Sequence, residues 1–242
     1  MQILIFDISA PLGHFKVPYT TTSPLSLPVP SKTAVYGMLA AILGLDRSDY
    51  LKHFQAGSCQ IAIGLKAKVQ KTHIAENLIN TKNVQMFARM NSAKTAPRSQ
   101  IRIEFIKDAS FRLYVSLNDV ELFNKLKVSL ENHKSAYTLS FGLSECLANF
   151  NHIGCVETKE AISNDWTELN SILPLESITT EQLDLVEVDK KYIRVHLPLE
   201  MKPDRELLKT GDFLIEANAK PIKIRNIKHH SIEQLKENII LF

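Results

Sequence analysis

Apolar residues run almost without interruption from Gln2 to Ser9, the pattern of an interior strand covered on both faces. From Ser31 the period changes. Val35, Met38, Leu39, Ile42 and Leu43 recur at helical spacing and predict an amphipathic helix that Gly44 can end. Gly37, Ala41 and Gly44 make a second stripe of small residues, expected to pack tightly on a sheet. Asp46 is placed to cap a short second helix through Phe54. Alternation returns in residues 59–69, where Ile61, Ile63 and Leu65 mark a second strand. Residues 70–100 then lose periodicity and predict a basic, polar insertion projecting from the sheet. Residues 101–106 re-enter as a strand, and Phe111, Leu113 and Val115 alternate with Arg112, Tyr114 and Ser116 in a further one. Asn118 and Glu121 have capping-box spacing, and Leu122, Phe123, Leu126 and Leu130 supply the next helix with its buried face. Residues 148–156 predict the last strand of this unit.

This order, strand, helix, strand, insertion, strand, helix, strand, predicts an α+β domain with a ferredoxin-like or RRM-like sheet and helices on one face. It spans residues 1–157, with the insertion at about 70–100. Residues 158–242 form a smaller β-rich region with strands at 192–197, 213–217 and 222–227 and a short helical piece near 231–237. Between the first strand and the first helix, Pro11, Pro18, Pro24, Pro28 and Pro30 stiffen a long connection, because each proline presets its own φ and biases the residue before it. Long connections inside compact domains are usually functional.

Charge changes the picture. The net charge of the whole chain is only +3. Residues 1–107, however, hold 13 Lys/Arg against 5 Asp/Glu, and residues 108–242 hold 16 against 21. The first half is therefore suited to a polyanion. Cys59, Cys146 and Cys155 lack a paired spacing, which predicts a reducing compartment with neither disulfides nor a zinc site. No signal peptide or membrane-length apolar run is visible, so the expectation is a cytoplasmic protein.

The stiff connection carries His14, Lys16, Tyr19, Thr20, Thr21 and Thr22, and the helix start adds Ser31, Lys32 and Thr33 with Tyr36 one turn on. Helix starts favour anions through unpaired amide groups and the positive end of the dipole. Donors, cations and a flat ring together suit phosphates, sugars and bases. The insertion adds Lys71, Lys82, Arg89, Lys94 and Arg98, interleaved with Met86, Phe87 and Met90. Such apolar side chains can wedge between bases while cations hold the backbone, or simply anchor the insertion. No phosphate-binding loop or dinucleotide fingerprint occurs, residues 142–146 lack the second glycine of a nucleophile elbow, and the adjacent His229 and His230 are expected at the surface rather than on a metal. No cofactor is implied. His14, Tyr19, Lys32 and Tyr36, or His73 with Lys71, could instead cleave RNA without metal. Binding is the preferred reading, cleavage the alternative, and a general RNA-binding module a third.

Four segments, HFKVPYTTTSPLSLPVPSKTAVYGMLAAILGLD (14–46), NLINTK (77–82), PRSQIRIEFIKDASFRLYVSL (97–117) and GLSECLANFNHIG (142–154), resemble the Cas-five family of CRISPR-associated proteins, the type I-B branch most closely. The resemblance implies a RAMP-type ferredoxin-like core with a projecting thumb, mapped onto the basic insertion. It implies a non-catalytic subunit of the type I Cascade complex in antiviral defence, holding the 5′ handle of the guide crRNA. It also implies contacts with the backbone subunit and the large subunit, and with target DNA only through the complex. The type I-C branch cuts repeat RNA itself. A Lys-His pair after the third strand would suit that branch, but Ser116 is followed by Leu117, Asn118 and Asp119.

Overall fold

The computed structural model describes residues 1–20, 22–54, 57–79, 98–176 and 178–242. The amino-terminal part contains β1 (Gln2–Gly13), β2 (Phe15–Lys16), β3 (Ser26–Leu27), α1 (Lys32–Leu43), α2 (Tyr50–His53), β4 (Cys59–Leu65), β5 (Gln70–Ile79), β6 (Arg98–Leu117), α3 (Val120–Glu131) and β7 (Asn149–Glu157). The main sheet has the order β4-β6-β1-β7, with β5 paired to the far half of β6 and every pairing antiparallel. Leu4, Phe6, Ile8, Ile61, Ile63, Leu113 and Val115 face α1 and α3 and form one core with Val35, Leu39, Leu126 and Leu130. This architecture is mostly β with few helices.

Several expectations shift. Residues 70–79 are a strand, not an aperiodic segment, and β6 runs unbroken through 98–117. Both faces of the outer ribbon carry polar side chains, so the alternation that marks a half-buried strand is muted there. Asp108 has a φ of +49° within β6. It stands with Pro11 between the pairs Leu12–Lys107 and Ala10–Ala109, where a proline leaves the ladder short of an N–H. Asp119, not Asn118, caps α3 by accepting from the Leu122 N–H at 3.0 Å, because Asn118 is spent on the Gly57 carbonyl. Asp46 orders a turn through Ser48, and α2 begins only after Asp49.

The carboxy-terminal part adds β8 (Glu160–Ile162), β9 (Thr167–Leu169), β10 (Leu173–Pro174), β11 (Leu183–Asp184), β12 (Tyr192–Met201), β13 (Leu207–Glu216), β14 (Ile222–Ile224), β15 (Lys228–Ile232) and β16 (Glu237–Ile239). The helical piece expected near 231–237 is instead the turn of the β15–β16 hairpin, where Lys236 adopts a φ of +53° that a right-handed helix excludes. His229 and His230, expected at the surface, are buried because β15 is the middle strand of the order β16-β15-β8. Val195 and Leu197 of β12 and Phe213 and Ile215 of β13 join the same core as α1. Ile232 and Ile239 cover the other face of the main sheet over Ile3, Ile5 and Tyr114. Among the described residues no helix is long and apolar enough to cross a membrane.

Candidate nucleic-acid interface

The stiff connection is a small hairpin laid against β6. Phe15 and Lys16 pair with Leu27 and Ser26. Its tip is braced by Thr20, whose Oγ1 donates to the Val17 carbonyl at 2.9 Å and accepts from the Leu25 N–H at 3.1 Å. Its base is pinned by Glu104 on β6. Glu104 Oε1 accepts from Lys71 Nζ at 2.7 Å and from the Ser26 N–H at 3.1 Å, and the Glu104 N–H donates to the Pro24 carbonyl at 3.0 Å. Lys71 Nζ also reaches the Ser26 carbonyl at 2.7 Å. Burial alone would raise the Glu104 pKa. The Lys71 and Ser26 donors, with the charges of Lys71 and His73, overcome that and hold it below the usual carboxylate range.

The connection between β7's leading segment and this hairpin is equally tight. The His14 N–H donates to the Phe141 carbonyl at 2.8 Å. At Gly142, with φ +89°, a Cβ would lie 1.9 Å from the His14 carbonyl oxygen. Only glycine fits there.

These contacts divide the residues singled out in the sequence. His14 is buried, with Nδ1 2.7 Å from the Glu104 carbonyl and its ring against Phe105. Ser31 caps α1 by accepting from the Ala34 N–H at 3.2 Å and shares a hydrogen bond with Thr33 at 3.0 Å. Both are buried. Lys32 is buried with its ammonium 5.8 Å from the ring centroids of Tyr36 and Phe242, and burial pulls its pKa down against the attraction of Cys59 and Glu200. Tyr36 stacks on Phe54 and donates to the Cys59 carbonyl at 3.3 Å. The first turn of α1 is thus covered by protein. Lys16, Tyr19, Thr22 and Arg98 are exposed, Thr20 half-buried and Lys71 tethered. Thr21, Lys82, Phe87, Arg89 and Lys94 lie outside the described residues. Gly37 and Ala41, expected against the sheet, instead line a surface groove with Thr33, Thr138, Ser140 and Arg205, and a Cβ at Gly37 would meet nothing within 4 Å.

The outer ribbon is two-faced. Cross-strand pairing puts His73 opposite Glu104, Ala75 opposite Arg102 and Ile79 opposite Arg98, so Arg98, Arg102, His73 and Lys71 share one face. Thr72 opposite Phe105 and Ile74 opposite Ile103 belong to the other, whose apolar residues run into the core. At the Lys71 end the cationic face meets a groove of about 590 Å³ between the hairpin and β12–β13, reached also by Lys191, Arg194 and His196. Those three were missed in the sequence. They lie in the net-acidic half, and nothing local in residues 191–196 marks them as facing Tyr19. Among the described residues no group of three or more His, Cys, Asp or Glu side chains gathers as a metal site.

The sequence model of the family described as CRISPR-associated protein (Cas_Cas5) matches residues 3–203. The chain belongs to the Cas_Cas5 family. No curated protein matches it. Among solved structures it is similar to a CRISPR protein from Archaeoglobus fulgidus, with 13% identity, a TM-score of 0.53, and coverage of 98% of this chain and 97% of that one. It is similar also to a chain of a CRISPR RNA-guided surveillance complex, with 10% identity, a TM-score of 0.50, and coverage of 90% and 91%. At such identities the likeness is one of fold. Family membership makes this a CRISPR-associated protein.

Proposed function

We propose that this chain is a non-catalytic RNA-binding subunit of a type I CRISPR Cascade interference complex, holding the 5′ handle of the guide RNA and contacting the backbone and large subunits. The family match over residues 3–203 carries this reading. The similar surveillance complex is RNA-guided, which supports an RNA-containing assembly, as does the cationic ribbon face. The sheet order β4-β6-β1-β7 with its two helical crossovers supports a ferredoxin-like core, and the β5–β6 ribbon supports a thumb. The type I-B branch remains the branch proposed, and the cytoplasm the compartment. Guide pairing, not this chain, would read target DNA.

The fate of the would-be catalytic groups favours binding over cleavage. A general base must reach the hydroxyl that it deprotonates. His14 and Tyr36 are buried and hydrogen-bonded to carbonyls, and Lys32 is buried. The alternative, a metal-independent endoribonuclease, rests on His73, exposed with Nε2 3.8 Å from Glu104 Oε2 and on the same face as Lys71. Labelled repeat RNA incubated with the purified protein in EDTA separates the two. Intact RNA is expected, and discrete products abolished by His73→Ala would establish the nuclease. Co-expression with genomic neighbours should recover the protein with guide RNA and at least one further subunit. A monomer that retains no RNA and no partner would overturn the proposal. RNA affinity measured against salt should fall with a log–log slope of about −0.7 per phosphate contact.

A further inference from the structure

The groove beside Tyr19 has a composition unlike its surroundings. Val17, Leu25, Leu27, Ile193, Val195 and Pro198 give it apolar walls. Among the described residues its ionisable ones are Tyr19, Lys71, Lys191, Arg194 and His196, and no aspartate or glutamate lines it. Three of these, Lys191, Arg194 and His196, come from the half of the chain where acids outnumber bases. Carboxylates sit behind three of these side chains and aim them. Glu104 holds Lys71 at 2.7 Å, and Asp212 holds Arg194 at 2.6 Å and His196 at 2.9 Å. Lys191 is exposed and carries no ion pair among the described residues. Tyr19 stands at the rim with 85% of its surface exposed, unusually bare for a large ring that no fold contact requires.

Resting on the RNA-binding reading above, we infer that this groove seats one unpaired nucleotide of the bound RNA, its base on the apolar wall and the Tyr19 ring, its phosphate on the Lys191–Lys71 rim. A base offers a π-face to an aromatic ring whatever its identity. A volume near 590 Å³ lies within the range of about 300–1,000 Å³ typical of small-molecule sites. An apolar peptide would fill the walls as well, but it would leave the unpaired Lys191 ammonium without a counter-charge, whereas a nucleotide uses both. The groove opens at Lys71, where the basic face of the ribbon ends, so a strand lying along Arg98, Arg102 and His73 reaches it directly. The carboxy-terminal region thereby becomes part of the RNA site.

The test uses the complete protein and a fluorescein-labelled, eight-nucleotide single-stranded RNA containing 4-thiouridine, followed by anisotropy and by mapping of photo-crosslinks. Tyr19→Ala should weaken binding at least about fivefold, as loss of one base stack does, while Tyr19→Phe stays within about twofold because the ring remains. Lys191→Ala should reduce the salt slope by about 0.7. Crosslinks should fall on Tyr19 or on residues 191–198. Exposure of Tyr19 and Lys191 keeps the fold out of the result. Unchanged affinity in Tyr19→Ala and Lys191→Ala, with binding lost in the Arg98→Ala, Arg102→Ala double variant, would overturn the groove and leave the RNA-binding reading standing. Variants that keep RNA affinity but lose a co-purifying subunit would make the groove a protein-docking site and overturn it too. If the wild-type chain binds no RNA and its assemblies contain none, the parent reading fails and takes the groove with it.

Discussion

Arg112 ties three parts of the chain together. Its guanidinium donates to both Asp7 carboxylate oxygens, at 2.7 and 2.9 Å, and to Glu237 Oε1 at 2.8 Å, while Tyr114 donates to Glu237 Oε2 at 2.6 Å. The Asp7 hydrogen bonds raise the Arg112 pKa against burial, and burial with the Glu237 carboxylate raises that of Tyr114. Arg112→Met leaves two carboxylates without their cation. It should cost about 3 kcal/mol in urea unfolding, and a loss within about 0.5 kcal/mol would mean the network is solvated. Glu104 makes a pH prediction. Its folded pKa lies below the ordinary 4.5, so its contribution is present above that value and is lost as pH falls through the folded one. Melting temperature should therefore drop on acidification below about pH 4.5, less steeply in Glu104→Gln. Cys59 is fully buried, and burial pushes its thiol up to about 12 against the attraction of Lys32. Iodoacetamide at pH 8 should label Cys59 only after denaturation.

Gly142 and Gly37 should respond oppositely to alanine, because the space around their Cα atoms differs. Gly142→Ala forces a Cβ onto the His14 carbonyl at a positive φ, detaching the 140–147 segment from the base of the hairpin. A drop of several degrees in melting temperature is expected, at about 2–4 °C per kcal/mol for a chain this size. Gly37→Ala sits mid-helix beside open space and should stabilise by roughly 0.5–1 kcal/mol through helix propensity. The outer ribbon permits a sharper test of the thumb. Ile79 pairs with Arg98, so an Asn-Gly turn can replace residues 80–97 without disturbing the ladder. The shortened protein should fold with an unchanged melting temperature yet assemble poorly with the backbone subunit. Normal assembly would contradict the thumb.

The sheet is buried on both sides, helices on one and the β15–β16 hairpin on the other. RRM-type binding stacks bases on the open face of such a sheet. Here Ile232 and Ile239 occupy that face, and Phe242 exchanges backbone hydrogen bonds with Ile61 of β4 at 2.9 and 3.2 Å. On the proposed RNA-binding reading, the ribbon and the groove at the sheet's end are the surfaces to test. Deleting residues 227–242 strips apolar cover worth about 1.5–3 kcal/mol for each buried aliphatic side chain and removes Glu237 from Arg112. The truncated chain should be insoluble or bind a hydrophobic dye, and a soluble, cooperatively melting product would show that the hairpin is not needed as cover.

Local periodicity was enough to find β1, α1, β4, α3 and β7, because each buries one continuous apolar face and such faces are written at fixed spacing. It also revealed the helix stop at Gly44, whose φ is +73°, and the basic character of the ribbon. The positive φ of Lys236 carries no such mark, nor does the two-faced polar ladder of β5, so the last hairpin and the ribbon escaped. Burial was decided only in three dimensions. His14, Lys32 and Tyr36 are chemically suited to RNA, yet all three are buried, His14 against β6, Tyr36 against Phe54 and Cys59, and Lys32 beside Tyr36 and Phe242. The converse holds for Lys191, Arg194 and His196. Hydrophobic spacing is local, whereas a groove is made where segments about 170 residues apart converge, as Tyr19 and Lys191 do, and no single stretch of chain contains that information.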